Sequence, residues 1–125
     1  MNPTDLEAYK KHQFINLTTF RKSGVGVSTP VWFALVDGKI YGTSQPQTGK
    51  IKRIRNNPEI IFGPSDMGGK PRGDTHPGKA RLLTPAEFPL ADSALKRKYG
   101  LQYRFLVWMM KLRKAQEIFW EIIPG

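Results

Sequence analysis

The dipeptide Asp37-Gly38 joins two runs, Val27 to Val36 and Lys39 to Ser44, both rich in β-branched and aromatic residues. A loop of this type supports the positive φ angles of a tight hairpin, so the two runs are predicted to pair as antiparallel strands. So short a connection leaves no room for a crossover helix, and it directs the chain towards a sheet built of hairpins.

The same reasoning extends in both directions. Phe14 to Phe20 alternates apolar and polar side chains, and Lys22-Ser23-Gly24 turns the chain back into the Val27 run, which predicts a first hairpin. Glu59 to Pro64, Lys79 to Leu83 and Ile118 to Ile123 also read as strands, with Arg72 to Thr75 a candidate extension of the middle one. Helical patterns fill the gaps. Thr4 is placed to cap a short helix through Lys11, and Thr48 to Asn56 puts Ile51 and Ile54 on one face before Asn57-Pro58 stops it. Thr84-Pro85 with Glu87 opens another helix by the capping-box pattern, and Leu101 to Lys114 follows Gly100 as a further one. Short strands at this spacing indicate an antiparallel sheet or barrel with flanking helices, a mainly β (α+β) chain.

At 125 residues and 39% hydrophobic composition, positions 1–125 are expected to form a single domain with one sizeable core. The absence of cysteine excludes disulfides, thiolate catalysis and zinc-thiolate sites, and a reducing cytoplasm is the expected location. Met1 to Lys11 carries Asp5 and Glu7 and lacks the apolar core of a secretory signal. The longest apolar run, Phe105 to Met110, is far short of the roughly 20 residues a spanning helix needs, so no membrane insertion is expected. The formal net charge of +10 raises the local anion concentration and calls for a partner: nucleic acid, an anionic membrane surface or a polyanionic cofactor.

One segment concentrates that charge. Thr48-Gly49-Lys50-Ile51-Lys52-Arg53-Ile54-Arg55 puts Lys50 and Lys52 near the opening turn of a helix, where the backbone dipole is already positive. An anion would reverse the conflict, because the free amides and both ammonium groups would converge on a phosphate. The same pattern is also that of a solvated basic face with Ile51 and Ile54 turned inward. It is not a P-loop, since the glycine spacing differs and isoleucine follows Gly49-Lys50, and no dinucleotide glycine fingerprint is present.

Four segments in order carry a resemblance: Leu17-Thr18-Thr19-Phe20-Arg21-Lys22, Ser28-Thr29-Pro30-Val31-Trp32-Phe33, Thr48 to Pro58, and Arg97-Lys98-Tyr99-Gly100-Leu101. Together they resemble the pyridoxamine 5'-phosphate oxidase-like, FMN-binding split barrels, and within them the F420-dependent class. The resemblance runs from about Phe14 to Ile123 and is most specific from Thr48 to Pro58. It implies a six-stranded antiparallel split β-barrel, usually a homodimer, with the cofactor in a groove between subunits. It further implies that Thr48, Lys50 and Lys52 form the phosphate clamp, that Thr29, Pro30, Val31 and Trp32 follow the ring system, and that Thr43 and Ser44 make polar contacts from the next strand. Alternate side chains of the Val31-Trp32-Phe33 strand would face a barrel core in any case.

Two departures distinguish this chain from the FMN enzymes it resembles: glycine stands at Gly49 in place of an arginine, and alanine at Ala34 in place of a lysine. The arginine and histidine pattern with which true pyridoxamine phosphate oxidases hold substrate has no counterpart from Glu117 to Gly125. F420 carries a phosphate and an oligoglutamate tail, for which Arg53, Arg55, Lys96, Arg97 and Lys98 offer charge.

The expected function is therefore oxidoreductase chemistry, hydride transfer between F420, or alternatively FMN, and a small organic substrate. The cofactor does the chemistry, so no catalytic triad is needed and no catalytic residue is assigned. A non-catalytic flavin or deazaflavin binding or storage protein is the alternative, and nucleic-acid binding ranks below both because no recognition motif accompanies the charge. His12 and His76 are not in metal-ligand spacing, and Tyr41, Tyr99 and Tyr103 would need a pocket that lowers a pKa near 10 before any served as an acid. Leu101 to Lys114 mixes Trp108 and methionines with arginine and lysine, a pattern shared by membrane-surface helices, cores and dimer interfaces.

Overall fold

The computed structural model describes residues 6–114 and 116–125, so the expected cap at Thr4 lies outside the described residues. After a 3-10 turn at Ala8–Lys11 come β1 (Phe14–Phe20), β2 (Gly26–Val31), β3 (Ala34–Val36) and β4 (Lys39–Ser44). Helix α1 (Gly49–Asn56), β5 (Glu59–Ser65) and β6 (His76–Leu82) follow, then α2 (Phe88–Tyr99), α3 (Leu101–Leu112) and β7 (Ile118–Pro124). Strand β6 starts at His76, so Arg72 to Thr75 does not extend it, and α3 ends two residues before Lys114.

Every strand pair is antiparallel, in the order β2-β1-β5-β6-β7-β4-β3. The expected six strands become seven because the run from Val27 to Val36 is not continuous. It breaks at Trp32 and Phe33, and its two pieces pair with different neighbours, β2 with β1 and β3 with β4. The pieces lie at opposite ends of the sheet order although only Trp32 and Phe33 separate them along the chain. The sheet must therefore curl until its two ends approach, which makes it a half-barrel with the chain turning the corner at Trp32 and Phe33. At the next turn Asp37 and Gly38 both take positive φ, 49° and 77°, as the hairpin between β3 and β4 demands.

Inside the curl, Ile15, Leu17, Phe33, Ile40, Ile60, Phe62, Trp120 and Ile122 form one core, closed by Leu6 and Tyr9 and by Ile51 and Ile54 of α1. Burial of each large side chain stabilises the fold by about 1.5–3 kcal/mol. A second cluster lies on the other face, where α2 and α3 cover Ala34, Tyr41 and Phe119 with Ala91, Leu95, Tyr99 and Tyr103. This explains why β7 is buried on both faces over most of its length. The buried Glu121 on that strand is satisfied by the Tyr41 hydroxyl at 2.8 Å and by Arg81 at 3.4 Å. Arg81 in turn makes a bidentate pair with Glu87, whose carboxylate also accepts the Thr84 N–H at 2.9 Å and leads the chain into α2.

Candidate functional site

Helix α1 packs against β1 and β6 through Ile51 and Ile54, so its amino end is fixed relative to the barrel. That end borders a cleft of about 460 Å³. Its polar lining comes from one continuous stretch, with Thr43 and Ser44 at the end of β4, then Gln45, Thr48 and Lys50. The apolar lining comes from the β1 and β2 corner, with Phe14, Pro30, Val31 and Trp32, and from Leu106 of α3.

Of the residues expected at the site, Pro30, Val31, Trp32, Thr43, Ser44, Thr48 and Lys50 thus share one cleft. Thr29 and Lys52 are not on its wall. Thr29 is half-buried on β2 opposite Leu17, and Lys52 is exposed on α1. The two lysines of the expected clamp are separated by helical geometry, since residues two apart point to different sides. Phe14, Gln45 and Leu106 were not foreseen. Gln45 simply continues the chain past Ser44, but only the tertiary arrangement brings α3 across to the cleft.

Lys50 is half-buried, and its ammonium has its pKa lowered by desolvation first and by the neighbouring Arg53 charge second. Among the described residues no carboxylate lies within ion-pair distance of it. The amino end of α1 is likewise open to an acceptor. No side chain caps it, its first turn holds no acidic residue, and the Thr48 hydroxyl donates to the Gln45 carbonyl oxygen at 2.9 Å. Arg53 turns back towards the barrel, where its Nε donates to the Thr19 hydroxyl at 2.6 Å. Its guanidinium lies over Gly49, so that a Cβ at position 49 would sit 2.8 Å from Arg53 Nη1.

The apolar wall is held from behind. Trp32 stacks on Tyr99 with ring centroids 4.5 Å apart and planes 11° apart. The Trp120 indole N–H donates to the Ser44 hydroxyl at 3.3 Å, and the Ser44 and Thr43 hydroxyls donate to backbone carbonyls, at 2.7 and 2.9 Å. The tyrosines considered as acids are occupied elsewhere. Tyr41 is pushed up to about 12 by burial and by its bond to Glu121. Burial also raises Tyr99 and Tyr103, and Tyr103 is further held by Asp92, to which it donates at 2.7 Å. None of the three lines the cleft.

No family model matches the chain, and no curated protein matches it in sequence. Solved structures do share its fold. It is similar to the heme storage protein HutZ of Vibrio cholerae, with a TM-score of 0.73 and 9% identity over 98% of this chain and 89% of that one. An FAD-binding protein of Mesorhizobium loti gives 0.68 and 16% identity over 100% of this chain and 89% of that one. A candidate pyridoxamine 5'-phosphate oxidase of Listeria innocua gives 0.62 and 16% identity over 98% and 93%. At such identities the likeness establishes architecture: a curled antiparallel half-barrel with flanking helices, the pyridoxamine-phosphate-oxidase-like split barrel.

Proposed function

We propose that the chain binds a phosphate-bearing flavin-type cofactor in the cleft and works as an oxidoreductase, with the deazaflavin F420 favoured and FMN the alternative. The observation that carries this reading is Lys50, a half-buried ammonium on the cleft wall with no carboxylate in ion-pair reach among the described residues. A desolvated, unpaired charge is costly, and an anion beside it removes that cost. The uncapped end of α1 adds backbone donors at the same place.

The rest of the cleft fits such a group. Its volume of about 460 Å³ lies within the range of about 300–1,000 Å³ common for small-molecule sites. Lys50 and Thr48 would hold the phosphate, Pro30, Val31 and Trp32 would flank the ring, and Phe14 and Leu106 would exclude water. When bound, the cofactor supplies the hydride chemistry, and the protein orients it. F420 is favoured over FMN because the arginine of the FMN enzymes resembled in sequence is absent at Gly49, where the Arg53 guanidinium already fills the space. Ala34, which stands in place of their lysine, is buried.

The proposal includes a homodimer with the cleft at the subunit interface, positions 1–125 as a single cofactor-binding domain, a small organic substrate and a cytoplasmic location. The flavin named for the Mesorhizobium loti neighbour supports the cofactor class. A second reading, holding the cofactor without turnover, is favoured by Tyr41, Tyr99 and Tyr103, whose hydroxyls are engaged away from the cleft. Titration of the purified chain with F420 and with FMN, read by cofactor fluorescence, tests the first reading, which fails if neither binds below millimolar concentration. Reduced cofactor that binds yet is never reoxidised by any acceptor selects the second.

A further inference from the structure

The outward ridge of α3 is apolar. Leu101, Phe105, Trp108 and Leu112 follow helical spacing along one line and are 84%, 59%, 56% and 65% exposed. The helix already has a packing face, on which Tyr103 is fully buried and Val107 joins the second core. The rings of Phe105 and Trp108 lie 5.8 Å apart, so the ridge is a continuous patch. A helix turned to water ordinarily presents polar residues there, and a patch of this kind marks a surface that is covered in use.

Charge identifies the cover. Arg104 and Lys111 are exposed on one shoulder of the ridge, Arg113 on the other, and Lys114 just past the helix end. From Ser93 to Lys114 there is no aspartate or glutamate, and Arg97, Arg104, Lys111, Arg113 and Lys114 are exposed cations, whereas Lys96 pairs with Asp92 at 2.8 Å and Lys98 is turned onto the Phe33 ring. A second copy docked ridge to ridge would bring Arg104 and Lys111 against their own counterparts, with no acidic residue on the helix to offset them. An anionic bilayer matches both features, because aromatic and leucine side chains enter the acyl boundary while arginine and lysine stay among the phosphates.

We infer that α3 is a docking face that lies along an anionic lipid surface, with the Leu101, Phe105, Trp108 and Leu112 ridge inserted and the flanking cations on the headgroups. With 12 residues the helix is about 18 Å long, and no described helix is long and apolar enough to cross a membrane, so the attachment is peripheral.

The test is co-sedimentation of the full chain with vesicles of phosphatidylcholine alone and of phosphatidylcholine mixed with phosphatidylglycerol. Of the three tryptophans, Trp120 is fully buried and Trp32 is half-buried against Tyr99, so a blue shift of emission on binding reports mainly Trp108. Binding is expected to the phosphatidylglycerol vesicles only, with release at high salt. The double variant Phe105→Ser/Trp108→Ser should bind about tenfold more weakly or worse, and Arg104→Gln/Lys111→Gln should also lose affinity, with thermal midpoints held. The inference is overturned if the chain stays in solution with anionic vesicles. It is equally overturned if the serine variant binds as well as the parent, which would reduce the effect to general positive charge. A blue shift that appears on concentrating the chain without lipid would assign the ridge to a second copy instead.

Discussion

The Tyr99 hydroxyl lies 2.9 Å from the Phe33 amide nitrogen and 2.7 Å from the Gln13 carbonyl oxygen, at the corner where β2 gives way to β3. Phe33 belongs to neither strand, so its N–H has no ladder partner, and Tyr99 satisfies it from α2. Loss of that hydroxyl leaves a buried donor without an acceptor. Tyr99→Phe is expected to lower unfolding stability by about 1–3 kcal/mol, read by urea denaturation. Cofactor binding should change little in that variant, because the ring that stacks on Trp32 remains. In Tyr99→Ala the stack is lost as well, and affinity should fall along with stability.

Lys50 and Lys52 are close in sequence and unequal in position. Lys50 is on the cleft wall and half-buried, whereas Lys52 is exposed and off the wall. Lys50→Ala is therefore expected to weaken binding of a phosphate-bearing cofactor by about 10- to 100-fold, the effect of losing one charge-assisted bond. Lys52→Ala should cost no more than about threefold, as for a screened surface charge. Fluorescence titration of both variants decides the matter. Equal losses would mean that only overall charge attracts the ligand.

The contrast between these lysines also shows what the sequence could and could not convey. The hairpin at Asp37-Gly38, the stop at Asn57-Pro58 and the turn at Lys22-Ser23-Gly24 are local chemistry, and each appears where the residue types placed it. The break at Trp32 and Phe33 is not local. Both residues suit a strand, and the run divides only because its two ends must pair with β1 and β4 on opposite sides of the closing sheet. The cleft was legible where its wall is a continuous segment, Thr43 to Lys50. It was illegible at Leu106, which arrives from α3 through packing that no periodicity encodes. Arg53 was legible as charge but not as a side chain that folds back onto Thr19.

Lys98 carries a pH dependence. Its Nζ lies 3.3 Å from the centre of the Phe33 ring, is buried and has no hydrogen-bond partner, and desolvation lowers its pKa to about 8. In the unfolded chain the group titrates at about 10.4. Between these values the unfolded state binds more protons, so this group's contribution to stability rises with pH through that window, and its penalty is full below about 8. The Phe33 face offsets part of the penalty. Lys98→Met should raise stability at neutral pH, by about 1 kcal/mol because solvent screens a side chain that is only partly buried, and flatten the rise above pH 8. Tyr41, pushed up to about 12, acts in the opposite sense above about pH 10, so the difference between parent and variant is the quantity to follow by thermal denaturation.

Gly42 faces Trp120 across the β4 and β7 pairing, and a Cβ at position 42 would sit 2.1 Å from Trp120 Cζ2 and 2.3 Å from Cη2. Trp120 is fully buried, so the ring has no free space to yield into. Its indole N–H also supports the Ser44 hydroxyl on the cleft wall. Gly42→Ala is therefore expected to cost about 3 kcal/mol or more and to weaken cofactor binding at the same time, because overpacking displaces the ring that holds the wall. Gly24→Ala is the control, since nothing lies within 4 Å of its Cβ and only the φ of +92° is strained. It should cost about 1 kcal/mol and leave the cleft alone. Adding Trp120→Phe to Gly42→Ala removes the clashing atoms, and recovery of stability without recovery of binding would show that the indole N–H, and not ring volume alone, sets the position of Ser44.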